Sequence, residues 1–328
     1  MATIKDVAKK ANLSPTTVSR VLNNRGYISE KTRKLVYDTM EEMNYHPNKI
    51  ARALLSKKSN IFAVIVPDSS NPFFSELTAE IEHLCQRHNY SLLLCNSLDT
   101  YEMESRHLEV LQEQNIDGLM ACSHILDSKS YEKISFPIVS FDKDYHVENI
   151  PIICSNNTLG GTLAANHLHE KGCRHLLHIS GPLSDNSLLG HERYYGFKKY
   201  CEHNDLTYEN FETNNHFSCE YYYSFIKQTI GNNLSRFDGA FCSNDLIAFA
   251  LYRCLMEKNI QVPSQFKIVG FDNTNFTKIM TPKLTTIEQD IPKIADAMVS
   301  TLLDMQNGGI ASKSLNILPV KLIQGETT

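Results

Sequence analysis

Residues 1–24, MATIKDVAKKANLSPTTVSRVLNN, read as two short helices around a tight turn. Thr3, with Asp6 three residues on, is placed to cap the first helix, and Ile4, Val7, Ala8 and Ala11 recur at helical spacing to give it one apolar face. Asn12 and Leu13 make the turn. Ser14 caps the second helix, and Pro15 takes its first position, where a missing N–H costs nothing. Val18, Val21 and Leu22 form its buried side, so Thr16, Thr17, Ser19, Arg20 and Asn23 point outward. Short donors and acceptors beside one Arg that can take a guanine edge bidentately make a face suited to the major groove.

Charge separates this head from the rest of the chain. Residues 1–58 hold 12 Lys+Arg against 5 Asp+Glu, a net of +7, whereas the remainder holds 20 against 32, a net of −12. A basic head on an acidic body is the footprint of phosphate contact. Ser29 opens a third helix, SEKTRKLVYDTMEEMNY, with Leu35, Val36, Met40 and Met43 facing inward, Lys31, Arg33 and Lys34 available to phosphate, and Pro47 ending it. NKIARALLSKKS, residues 48–59, is basic, carries a Leu54-Leu55 pair and is too short to hold a helix alone, so it is expected to order on DNA or against a second copy.

The order DVAKKANLSPTTVSRVLN, SEKTRKLV, NYHPNKIARALLSKKS resembles the headpiece and hinge of the lactose-repressor/galactose-repressor (LacI/GalR) family of bacterial regulators, and the resemblance runs the length of the chain. It implies a hinge helix that pairs with its twin and pushes Leu54 into the minor groove. Unstacking a base step in this way is offset by the contacts that bent DNA permits. The contact set expected on operator DNA is Thr3, Ser14, Pro15, Thr16, Thr17, Ser19, Arg20, Asn23, Tyr45, Asn48, Ala51 and Leu54.

The length of 328 residues exceeds what one core usually organises. From residue 61 short apolar runs alternate with amphipathic helices: IFAVIV, a helix from Phe73 to His88, SLLLC, a helix near Glu102 to Gln114, then GLMAC, SYEKI and PIVSF. A second set follows, with helix Leu159 to Lys171, HLLHIS, helices Glu192 to His203 and near Cys219 to Ile230, GAFCS, helix Asp245 to Lys258 and KIVGF. Such repetition is that of parallel sheets with helices on both faces. The fold class expected is α/β, a helix-turn-helix headpiece plus a two-lobed, periplasmic-binding-protein-like body. The divisions are 1–47 for the headpiece, 48–60 for the hinge and 61–328 for the body. The resemblance implies that helix Ile291 to Met305 and a strand around Leu315 to Val320 return to lobe one (61–158 and 290–322), leaving 159–289 as lobe two.

Ligands in such sheets sit beyond the carboxyl ends of strands. Asn71, Asp245 and Ser184 there read as turn and cap residues. The resemblance assigns a sugar cleft to Asp142, to Arg193 in R-x-x-G, to Asn244 in SND and to Asp272 in GFD, with Phe217 stacking on the sugar and Asn71, Phe73 and Phe74 alongside. Carboxylates with one Arg suit pairs of hydroxyls, and an aromatic wall suits the C–H face of a sugar ring. The loop GPLSDNSLLGHER is longer than in the lactose repressor, which leaves the roles of Asp185 and Asn186 open. SEKT, CNS, CSH and SFDK are especially similar to the sucrose-operon branch of the family in Gram-positive bacteria, so sucrose or a fructose-containing sugar is the expected effector. Purine-responsive and global carbon-control regulators are the alternatives within the family.

Other chemistry finds no support. There is no G-x-G-x-x-G after the first strand, no P-loop and no G-x-S-x-G; Gly160-Gly161 read as a helix start and Gly308-Gly309 as a turn. His167 and His169 lie on different helix faces, so no metal is expected, nor any cofactor or catalytic residue. A solute-binding protein would share the two-lobed body but needs a signal peptide and no basic head. With no apolar run of membrane length and nine Cys without a C-x-x-C pair, the chain reads as reduced and cytoplasmic, its Cys buried as small hydrophobes. Partners expected are operator DNA, a small sugar and a second copy in a homodimer, with first-lobe helices near Phe73 and Glu102 at the interface. After Val320 only KLIQGETT follows, without a Leu heptad to join two dimers.

Overall fold

A computed structural model describes residues 2–22, 26–45, 58–123, 125–185, 187–214, 218–309 and 312–328. The chain divides into two compact units, Met1–Ser59 and Asn60–Thr328.

The first unit contains α1 (Ile4–Lys10), α2 (Pro15–Leu22) and α3 (Glu30–Glu42). None is long enough to persist alone, and each begins on a side-chain cap. Thr3 and Asp6 form a reciprocal capping box, Ser14 Oγ accepts from Thr17 N–H at 3.1 Å, and Ser29 accepts from Thr32 N–H at 3.2 Å. Val7, Ala8, Val18, Val21, Val36 and Met40 form one small core, with Ile4, Leu13, Leu22, Met43 and Tyr45 packed around it. Leu35 is not part of it. It lies 44 % exposed, and Thr39 takes the inward place, donating its hydroxyl to Leu35 O at 2.7 Å. Helix α3 stops at Glu42, with Asn44 in left-handed backbone at φ 46°; Pro47, expected to end it, lies outside the described residues, as does most of the hinge.

The second unit holds two six-stranded sheets. Its elements run β1 (Ile61–Val66), α4 (Pro72–Arg87), β2 (Ser91–Asn96), α5 (Tyr101–Glu113), β3 (Gly118–Ala121), α6 (Ser128–Glu132), β4 (Ile138–Phe141), β5 (Ile152–Ser155), α7 (Asn157–Glu170), β6 (His175–Ser180) and α8 (Glu192–His203). They continue through β7 (Thr207–Glu212), α9 (Cys219–Thr229), β8 (Gly239–Cys242), α10 (Asp245–Glu257), β9 (Lys267–Asp272), α11 (Asn275–Ile279), β10 (Thr285–Gln289), α12 (Ile291–Gln306), β11 (Leu315–Leu318) and β12 (Val320–Ile323). The strand orders are β11-β5-β4-β3-β1-β2 and β12-β10-β9-β8-β6-β7. Among the described residues every pairing of these strands is parallel except β10 with β12. SYEKI therefore contributes the short helix α6 rather than a strand.

IFAVIV is a continuous apolar run because helices cover its sheet on both sides. Phe62, Val64 and Val66 pack with α4 and α12, while Ala63 and Ile65 pack with α5 on the opposite face. Burial of each such side chain contributes about 1.5–3 kcal/mol. The second sheet repeats the arrangement, with Leu177 and Ile179 of β6 facing α9 and α10, and Leu176 facing α7 and α8. All nine cysteines are free, and Cys219 is only half-buried, unlike the other eight. No helix among the described residues is long and apolar enough to cross a membrane.

The chain passes between the sheets three times: from β5 into α7, from β10 into α12, and from β11 through Pro319 into β12. A lobe-one tail reaching residue 322 is thus too long. Residues 315–318 extend the first sheet, but 320–323 cross again and close the edge of the second. The crossings are tied together, Asn156 N–H donating to Leu318 O at 2.8 Å and Ser155 Oγ to Gln289 Oε1 at 2.6 Å.

Candidate functional site

A cleft of about 940 Å³, counting its open mouth, lies between the two sheets at the carboxyl ends of their strands. From the first lobe it is lined by Asn71, Phe73 and Phe74 after β1 and by Phe141 and Asp142 at the end of β4. From the second come Arg193 on α8, Asn244 after β8 and Asp272 at the end of β9. The sheet-end position follows from parallel topology, in which loops from neighbouring strands diverge and leave a crevice.

Arg193 is the centre of the polar cluster. Its Nε donates to Asn157 Oδ1 at 2.8 Å, one terminal nitrogen donates to Ser243 O at 2.8 Å, and the other reaches Asp142 Oδ2 at 3.3 Å. Asp272 Oδ1 stands 4.0 Å away, and the guanidinium lies 3.8 Å above the Phe271 ring. Asn157 also donates to Asp142 at 3.0 Å, and Gln289 donates to Asp272 at 2.8 Å. The Arg is placed by an unusually close helix crossing. A Cβ on Gly161 of α7 would stand 1.9 Å from Arg193 O, and one on Gly196 of α8 would stand 2.0 Å from Thr158 O. Gly161 is therefore a packing residue, not a helix start, and the glycine of R-x-x-G is what lets α8 bring Arg193 to Asn157.

Asp142 and Asp272 both occupy positive-φ backbone, at 55° and 117°, which non-glycine residues adopt at a cost on the order of 1–3 kcal/mol. Burial raises the Asp142 carboxyl, with Arg193 opposing it. Burial likewise pushes Asp272 up to about 7, against the pull of Arg193 and Gln289. Two carboxylates around one cation leave acceptor capacity directed into the cleft. Phe73 adds apolar wall, stacked on Phe141 at 5.7 Å and edge-on to Phe74 at 5.3 Å.

The capping expectations divide. Asn71 does cap α4, accepting from Phe73 N–H at 2.9 Å while lining the cleft. Asp245 does not cap; Asn244 does, accepting from Ile247 N–H at 2.8 Å. Asp245 is instead buried behind Asp272, accepting from Thr286 Oγ1 at 2.6 Å and Thr274 N–H at 3.1 Å. Ser184 is exposed and begins no helix. The long loop gains a role: Asp185 turns the chain onto Ser187 and stands 3.7 Å from the buried Lys143 of the first lobe. Backbone bonds from Asp144 N–H to Ser187 O and from Leu189 N–H to Asp142 O, both 2.9 Å, fasten that loop across the cleft. Phe217 and Asn186 lie outside the described residues.

On the first unit, Thr16 and Arg20 of α2 are exposed together with Pro15 and Ser14, while Thr17 and Ser19 are half-buried. Thr3 spends its hydroxyl on Asp6, donating at 2.7 Å, and Ser14 Oγ pairs with Thr17 Oγ1 at 2.9 Å. Tyr45 packs in part on the headpiece core. Asn23, Asn48, Ala51 and Leu54 lie outside the described residues.

Residues 3–48 match the model of bacterial regulatory proteins of the lacI family, and residues 165–328 match a periplasmic binding protein-like domain. The sucrose operon repressor of Streptococcus mutans is 38 % identical over 327 residues, covering 100 % of this chain and 99 % of that protein. The chain belongs to the LacI family. The ribose operon repressor of Halalkalibacterium halodurans is 35 % identical over 332 residues, covering 100 % of this chain and 97 % of the relative. Among solved structures, the lac repressor dimer bound to operator and the anti-inducer ONPF is similar over 100 % of this chain and 99 % of its own, at 26 % identity and a TM-score of 0.86.

Several cleft residues of this LacI-family chain escape sequence reading. His178, Tyr194, Thr213, Tyr222 and Gln289 line the cleft with the expected set, and so does Ser180, which ends HLLHIS and opens the polar run that follows. His178 sits inside the apolar run HLLHIS, and Gln289 ends a strand, TTIEQ, that carries no charge pattern to mark it.

Proposed function

We propose that this protein is a transcriptional repressor of a sugar-utilisation operon, reading its operator with α2 and answering to a sugar held between Asp142, Arg193 and Asp272. The observation that carries this is the Arg193 cluster, a cation flanked by two buried carboxylates beside the Phe73–Phe141 wall, on a chain whose basic N-terminal unit is a helix-turn-helix. Adjacent hydroxyls are the groups such acceptors bind in pairs, and a ring C–H face fills the aromatic side. Sucrose, or another sugar containing a fructose unit, is the first candidate because the S. mutans relative is a sucrose operon repressor; the H. halodurans relative places ribose second.

Two headpieces must act together to read half-sites one helical turn apart, so the working species is a homodimer in the cytoplasm, as the lac repressor is a dimer on its operator. Sugar and operator are then linked through the first lobes, each changing the affinity for the other by the same factor. The cleft residues serve binding, and none is assigned a catalytic part. A thermal-shift screen of sucrose, D-fructose, D-ribose and hypoxanthine, followed by operator anisotropy with each binder, tests the reading. A sugar that raises the melting temperature and changes operator affinity is the expected result. Hypoxanthine doing so instead would transfer the protein to a purine-responsive role.

A further inference from the structure

The wall of the cleft contributed by β6 holds two polar atoms that the Arg193 cluster does not use. His178 is wholly buried, and its Nδ1 donates to Asn210 Oδ1 at 2.7 Å on the neighbouring strand β7. That bond places the ring proton on Nδ1 and leaves a lone pair on Nε2. Among the described residues Nε2 has no partner. Two positions on, and so on the same face of the strand, Ser180 Oγ is also buried and without a partner. Both residues line the cleft, beside Tyr194, Thr213 and Asn214.

The ring has no means of turning to find another partner. Tyr194, Phe197 and Phe241 surround it with centroid distances of 5.4, 5.2 and 5.0 Å, and the Asn210 bond fixes its remaining edge. The Ser180 backbone is held as well, because Thr213 donates to its carbonyl through both N–H, at 2.8 Å, and Oγ1, at 3.1 Å. Burial holds the imidazole neutral, lowering its pKa to about 4, so Nε2 remains an acceptor at physiological pH. Unpartnered buried polar atoms are costly and correspondingly rare, and two on one strand face point to a group that arrives from outside.

We propose that His178 and Ser180 form a second, uncharged subsite of the cleft, in which Nε2 accepts the hydrogen of one hydroxyl of the bound sugar and Ser180 Oγ bonds a neighbouring oxygen. The inference rests on the sugar reading above and extends it. Arg193 and the carboxylates grip one pair of hydroxyls, and the His178 pair selects which further hydroxyl the effector must carry. Leaving a built acceptor empty discriminates against an analogue far more strongly than a missing apolar contact does.

The test uses the full chain and calorimetric titration with sucrose, D-fructose and D-ribose. His178→Phe, which fills the aromatic cage, and Ser180→Ala are each expected to weaken the best-bound of these sugars at least tenfold while keeping sugar-free operator affinity. Monodeoxy derivatives of that sugar supply the readout that a merely structural role does not move. One derivative should bind the wild type at least tenfold more weakly than its parent, and that difference should vanish in His178→Phe. If both variants bind the parent sugar as the wild type does, the subsite is refuted and the sugar reading stands. If none of the three sugars binds the wild type at millimolar concentration, the sugar reading falls and takes the subsite with it. Should His178→Phe lose operator binding as well, Ser180→Ala, which removes one atom, decides by the same criteria.

Discussion

Arg193 answers to partners from both lobes, so its removal tests the cleft as a unit. Arg193→Ala should abolish the sugar response, leaving Asp142 and Asp272 buried without their cation, yet preserve operator binding by the separate N-terminal unit. A normal sugar titration in this variant would move the site elsewhere. Asp272 gives a pH signature. Its folded pKa of about 7 lies above its ordinary value of 3.8, so it stabilises the sugar-free fold most below about pH 4 and loses that contribution as pH rises through 7. Sugar hydroxyls donate to the ionised form, so sugar affinity should climb between pH 6 and pH 8, and Asp272→Asn should flatten the rise. Affinity independent of pH in the wild type would show that Asp272 does not take the sugar. At this scale the family resemblance pointed to the carboxylates, which stand after strands, and to the Arg, which it anchored on R-x-x-G in α8. The sequence hid Tyr222, whose side chain is buried inside the pattern of α9, and misjudged Leu35, because a 3.6-residue period cannot decide which of two flanking positions the small core has room for.

At the scale of elements, the α7–α8 crossing is the tightest constraint near the cleft. Gly196→Ala sets a methyl 2.0 Å from Thr158 O, far inside van der Waals contact, so the helices must part, at a cost of about 1–3 kcal/mol or more by overpacking. Urea unfolding should register the loss, and sugar affinity should fall further than stability predicts, because Arg193 moves with its helix. Wild-type sugar affinity in a destabilised Gly196→Ala would separate the crossing from the site. On α2, Arg20 and Thr16 share the exposed side, so Arg20→Ala should weaken operator binding by about 1–3 kcal/mol and relax choice at one base pair. An equal loss on random DNA would make it a phosphate contact. The headpiece caps and two-sided apolar strands were legible because their causes are local, whereas in the body Asp245 and Ser184 were misread as caps. The strands β5, β7, β10 and β12 were not legible: β5 and β12 are four residues long, and β7 and β10, TYENFE and TTIEQ, are mostly polar.

At the scale of the whole molecule, the proposed linkage requires two chains. Light scattering at micromolar concentration should give roughly twice the 37.3 kDa of one chain, and operator affinity should fall on dilution below the dimer dissociation constant. A monomer that bound operator at full affinity would remove the need for paired headpieces. The two-lobed plan was readable from the βα repetition, but the third crossing was not, because a parallel strand and an antiparallel one look alike as apolar runs separated by Pro319.

The three crossings also determine what kind of movement the body allows. One tether would let the lobes swivel and twist freely, whereas three, braced by Asn156 on Leu318 and Ser155 on Gln289, behave as a door hung on several pins. Three strands of chain side by side resist twisting of one lobe on the other more than they resist bending. One pin is wired to the latch, since Gln289 holds Ser155 with its carbonyl and Asp272 with its amide. A group that bonds Asp272 therefore loads the Ser155 tie through Gln289, and the cleft and one of its tethers share a single side chain.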